Sequence, residues 1–195
     1  MKRIASIAAL AVALMIAAPQ AAPLDEVTPP AVPTNLDVPA GITPFLLGHA
    51  YGTQNYVCLL ARGGFGWTFF GPQATLFDDF GNQLITHFLS PNPDQNYAPR
   101  ATWQHSVDTS SAWALASASS SDPTYVASGA IPWLLLRVVG VQNGPALGDT
   151  LTATTFIHRV NTTGGIAPAT GCAVAADVGK KVFVPYAADY VFYRP

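Results

Sequence analysis

The sequence predicts an all-β domain, a β-sandwich or a jelly-roll-like barrel with long loops, and three observations carry that expectation. Short apolar or alternating runs recur along the chain, and Gly and Pro punctuate them. Beyond the N-terminal apolar stretch no window sustains an apolar period of about 3.6 residues. Glutamate, a good helix former, occurs once, at Glu26. Many short strands without helices suit two stacked sheets or a barrel of ordinary single-domain size.

Taken in order, residues 1–21 read as an export signal. Lys2 and Arg3 precede Ile4–Ala18, a stretch without charge, and small or helix-breaking residues follow at Pro19, Gln20, Ala21 and Ala22. The apolar stretch is shorter than the roughly 20 residues a membrane span needs, so no stable membrane insertion is expected after cleavage. Residues 22–44 hold six prolines (Pro23, Pro29, Pro30, Pro33, Pro39 and Pro44) and read as an extended arm. Residues 45–195 form the domain.

Within it, GTQNYVCLL (52–60) alternates, and WTFF (67–70) and ATLFD (74–78) flank Gly71-Pro72. Asp78–Asn82 reads as a turn, with NQLITHFL (82–89) continuing as a strand. The least regular stretch, Pro91–Asp122, is expected to hold long loops around strands near Thr102–Ser106 and Ala112–Ala118. IPWLLLRVVG (131–140) is a continuous apolar run opened by proline and closed by glycine, and TLTATTFIHRV (150–160) is rich in β-branched residues. KVFVPY and DYVFYRP supply the last strands.

Charge bears on partners. The formal net charge is −2, and loss of Lys2 and Arg3 leaves seven basic against eleven acidic residues, hence −4. No basic cluster is large enough to support nucleic-acid binding. Two cysteines, Cys58 and Cys172, stand 114 positions apart. An exported chain with an even cysteine count points to a disulfide between them, the alternative being two separately buried thiols. The expected location is extracellular, periplasmic or wall-associated.

Five segments, GTQNYVC (52–58), PQATLFDDFGN (72–82), IPWLLLRVV (131–139), RVNTTGGIAPATGC (159–172) and VPYAADYVFY (184–193), resemble the DUF3455 family of small secreted proteins of unknown function. The resemblance covers roughly residues 45–193 and implies export and a β-rich domain, but no reaction. The family typically shows Thr-Trp-Glu where this chain has Thr102-Trp103-Gln104. Acid–base work by a glutamate there is closed to this protein.

Candidate site residues follow from side-chain chemistry. His87, Tyr97, Trp103 and His105 fall in or beside the irregular region, and Trp103 has polar neighbours. Together they form an expected platform for a carbohydrate or small planar ligand. The competing reading is an extracellular enzyme or metal-binding protein using His87, His105 and an aspartate of residues 87–122. No histidine pair has metal-ligand spacing, so no metal or cofactor is implied. A Ser–His–Asp set from Asp108, His105 and Ser110 or Ser111 is compatible with the composition, though geometry alone defines a triad. Asp78 and Asp79 are expected to serve their turn. RVNTTGG is read as a structural closure delivering Cys172 to Cys58, with Asn161 an N-glycosylation acceptor if the source is eukaryotic. The preferred overall reading is a non-catalytic ligand-binding or surface-associated module.

Overall fold

The computed structural model describes residues 27–195, so the expected export signal and the start of the arm lie outside the described residues. Eight strands run in chain order: β1 (Thr43–Ala61), β2 (Gly64–Phe77), β3 (Gln83–Asn92), β4 (Ala98–His105), β5 (Ser111–Ser120), β6 (Trp133–Gln142), β7 (Phe156–Gly164) and β8 (Lys181–Arg194). Each pairs antiparallel with its neighbour, and β8 returns to β1, from Thr43↔Arg194 to Val57↔Lys181.

The all-β expectation holds; the layering differs. The sheet is one closed up-and-down barrel with no crossover, whereas a sandwich leaves edges and a jelly roll needs Greek-key connections. Two features of the sequence hide this. β2 runs unbroken through Gly71-Pro72 because Phe70 is squeezed out as a bulge between the pairs Asn55↔Gly71 and Tyr56↔Phe69. Gly71 takes φ +144 there, a conformation closed to other residues. In the irregular stretch 91–122 the two expected strands are present, as β4 and β5, but they are longer than expected and the connection between them, 106–110, is short. Conversely, residues 150–155 are not strand. The Asp108 carboxylate captures the Thr150 amide at 2.9 Å and its hydroxyl at 2.6 Å, which turns the segment across the barrel end and buries Leu151.

Alternation sorts side chains cleanly. Inward residues (Leu76, Ile85, Trp103, Ile157, Tyr190 and Phe192 among them) build the main core. Outward residues of β6, β7 and β8 (Trp133, Leu135, Val160, Val191, Tyr193) build a second. The proline-rich arm covers that second core, with Leu36 fully buried in a single 3₁₀ turn over Thr34–Leu36. His158 ties the arm down. Its Nε2–H donates to the Leu36 carbonyl at 2.7 Å, and its Nδ1 accepts from the Tyr193 hydroxyl at 2.9 Å.

The predicted disulfide is present: Cys58 near the end of β1 joins Cys172 in the β7–β8 connection, Cα to Cα 5.5 Å. The RVNTTGG segment acts as a closure. A bulge lies between Val160 and Thr163, Thr162 donates to the Ile131 carbonyl at 2.6 Å, and Gly164 and Gly165 both take positive φ. Asn161 is exposed, its side-chain amide donating to Asp189 at 2.7 Å. Among the described residues no helix is long and apolar enough to cross a membrane.

Candidate functional site: the barrel interior

An eight-stranded barrel has an interior that medium-sized side chains just fill. Here many inward positions are too small to do so: Ala50, Ala74, Ala101, Ala114, Ala116 and Ala188. Three of these, Ala101, Ala114 and Ala116, line a cavity of about 270 Å³. It lies toward the barrel end that carries the disulfide, and it reaches the surface, since Phe69 on its lining is 48% exposed. Most of its wall is aliphatic or aromatic, including Leu89, Leu115, Leu134 and Leu136.

A few polar groups interrupt this wall. His87 on β3 and Trp103 on β4 are register partners and stack at 4.2 Å between centroids. The Tyr190 ring tilts against His87 at 5.1 Å and meets Trp103 edge-on at 5.6 Å. The Nδ1–H of His87 donates to the Thr102 carbonyl at 2.8 Å, which leaves Nε2 as the ring's acceptor. Burial pushes the His87 pKa down to about 3, with Arg159 adding to the depression and the Thr102 carbonyl opposing it. The ring is therefore neutral at physiological pH. Burial likewise raises the phenols of Tyr186 and Tyr190, whose hydroxyls lie 3.3 Å apart.

Arg159 enters from β7, one residue after outward-facing His158 and on the same side as Ile157. One of its terminal nitrogens donates to the Pro132 carbonyl at 2.8 Å, and no ion pair among the described residues includes it. Three lining residues carry a buried nitrogen with no hydrogen-bond partner: Gln54 at Nε2, Trp103 at Nε1 and Arg159 at Nε. All three are donors. Buried polar groups are ordinarily satisfied, so three orphans around one cavity mark the place where a ligand would find partners.

Of the four residues expected to form the site, the structure brings two together. His87 and Trp103 line the cavity, but stacked on each other and almost wholly buried, so no open aromatic platform results. Tyr97 is 69% exposed in the β3–β4 turn, at φ +59, and does not line the cavity. His105, at the end of β4, bonds through Nδ1 to Asp108 at 3.0 Å. The candidate triad does not assemble. The hydroxyl of Ser110 donates to Asp108 at 2.7 Å and accepts from the Leu151 amide, so this cluster binds two connections together. Among the described residues no three His, Cys, Asp or Glu side chains converge as metal ligands. Asp78 serves its turn as expected, accepting from the Phe80 and Asn82 amides, and Asp79 reaches His49 at 2.8 Å.

Gln54, Arg159, Tyr186 and Tyr190 were not singled out by sequence. The available signal was parity: in FIHRV, Arg159 shares a face with Ile157, and in YAADYVFY the even-numbered positions share one face. A charge on the inward face of an apolar strand is the mark of an interior site.

The family model described as "Protein of unknown function (DUF3455)" matches residues 39–194. No curated protein and no solved structure matches the chain.

Proposed function

The chain belongs to the DUF3455 family, and on that premise we propose that it is an exported, non-catalytic binding module whose small ligand occupies the barrel interior. One observation carries the reading: a surface-reaching cavity, opened by alanines at inward positions, whose buried donors lack partners. Empty apolar space in a core costs stability, and so does an unsatisfied donor. A ligand offsets both costs. The disulfide supports export, because such bonds persist in oxidising compartments. Against a catalytic reading, the Ser110–Asp108–His105 cluster lacks a nucleophile-to-base bond.

The test is to fill the cavity from its own wall. Ala114→Phe projects a ring into it from β5. A panel of small apolar compounds should raise the melting temperature of the wild-type protein and leave that of the variant unchanged, with both giving the same β-type circular dichroism. Equal shifts for both proteins, or none for the wild type, would sink the proposal.

A further inference from the structure

We propose that the ligand of this cavity is a small organic anion, a carboxylic acid with an apolar body, whose charged end pairs with Arg159. This rests on the interior-binding reading above and narrows it. Two arginines, Arg159 and Arg100, line the cavity, and no aspartate or glutamate does. The chain as a whole carries a net charge of −2, so this local excess of positive charge runs against its overall balance.

The donor arithmetic points the same way. The fully buried side-chain atoms on the lining that lack a partner are all N–H groups, from Gln54, Trp103 and Arg159. A bound water accepts hydrogen bonds but leaves the charge of the half-buried Arg159 guanidinium uncompensated, and a charge held partly out of water without a counter-ion is costly. A carboxylate supplies acceptor lone pairs and the opposite charge at once, in the planar geometry a guanidinium matches. Gln54 is 3% exposed and Trp103 fully buried, so these donors belong to a built interior and not to the rim. The hydroxyl of Tyr190, which lines the cavity and is held protonated by burial, adds a polar group beside the same charge.

Arg100 sits nearer the surface, bonded to Gln95 at 2.6 Å and to the Pro99 carbonyl at 2.9 Å, where it favours the approach of an anion. The aliphatic wall of Leu89, Leu134 and Leu136 receives the rest of the molecule. An apolar cavity of roughly 150 Å³ accommodates benzene. The present 270 Å³ therefore suits a body of about two fused rings or an aliphatic chain of similar bulk.

Calorimetric titration with naphthoate and with the neutral naphthalenemethanol tests this on the intact, oxidised protein. The wild type should bind naphthoate at least about tenfold more tightly than the alcohol, the worth of one charge-assisted hydrogen bond. Arg159→Met should abolish that preference while retaining the alcohol, and Arg159→Lys should keep most of it. Equal binding of acid and alcohol by the wild type would overturn the anionic assignment and leave the binding pocket standing. Failure of both compounds to bind would remove the pocket reading and this inference with it. The wild-type comparison needs no variant, so it decides the matter even if Arg159→Met does not fold.

Discussion

Acid should destabilise this barrel well before its carboxylates titrate, and His87 is the reason. In the unfolded chain a histidine takes up a proton near pH 6.5; in the barrel burial holds His87 neutral down to about pH 3. The folded pKa lies below the unfolded one. Above pH 6.5 the group is neutral in both states and contributes nothing to the pH dependence. As pH falls from 6.5 toward 3, the unfolded state gains a proton that the folded state refuses, and stability drops by about 1.4 kcal/mol per pH unit. The loss is about 3 kcal/mol by pH 4.5 and levels off at about 5 kcal/mol near pH 3, a large share of the roughly 5–15 kcal/mol typical of a domain. His87→Phe keeps an aromatic ring against Trp103 but deprives the Thr102 carbonyl of its donor, at a cost of about 1 kcal/mol at pH 7. Urea denaturation at steps between pH 7.5 and 4.5 should give curves that cross, the variant being weaker at neutral pH and stronger in acid. Other titrating groups are common to both proteins and drop out of the difference. They include His158, depressed by burial, and His49, raised by Asp79 and Asp189. Parallel curves would refute the reasoning.

Three further outcomes follow from the same structure. Cys58→Ser with Cys172→Ser should lower stability by about 2–5 kcal/mol, because the bridge closes a loop of more than a hundred residues; reduction of the wild type should match it in a thermal melt. Leu36→Ala should cost about 2–5 kcal/mol by removing the arm's fully buried anchor, and limited proteolysis should then cleave residues 27–42 first. The histidine ring signals in an NMR titration should separate in opposite directions, with His49 above its ordinary value and His158 below. Because His49 is raised, its clamp between Asp79 and Asp189 is at full strength below pH 6.5 and is lost as pH climbs through the folded value, so amide exchange in the 78–82 turn should quicken there.

The strands were legible wherever period-2 patterning was local. β3 follows from NQLITHFL and β6 from the continuous apolar run after Pro132, whereas KVFVPY and DYVFYRP, read as separate strands, join into the single β8; the two cysteines followed from compartment and count. Ring closure was not legible, because it depends on β8 meeting β1 across the whole domain, and no local pattern encodes that pairing. Residues 150–155 misled for a related reason. Their β-branched content favours strand, but a single carboxylate at Asp108, more than forty positions away, bends them across the barrel end. The site was half legible. His87 and Trp103 stood out by residue type, whereas Gln54 and Arg159 acquire meaning only when strand parity places them inside. The alanines that make room for a ligand carry no chemical signal at all, and a cavity is legible in sequence only as the absence of bulk.

Because β8 is hydrogen-bonded on both sides, to β7 and to β1, the ring has a single zip. Seven of the eight strands can form by successive hairpins, each a local event with little loop entropy to overcome. Until residues 181–194 arrive, that curled sheet presents two raw backbone margins, each a template for a neighbouring molecule. The span from unzipped to zipped is thus where this protein is most exposed to self-association. A lesion that delays the final strand should show itself as aggregate during folding, even when the finished ring is as stable as before.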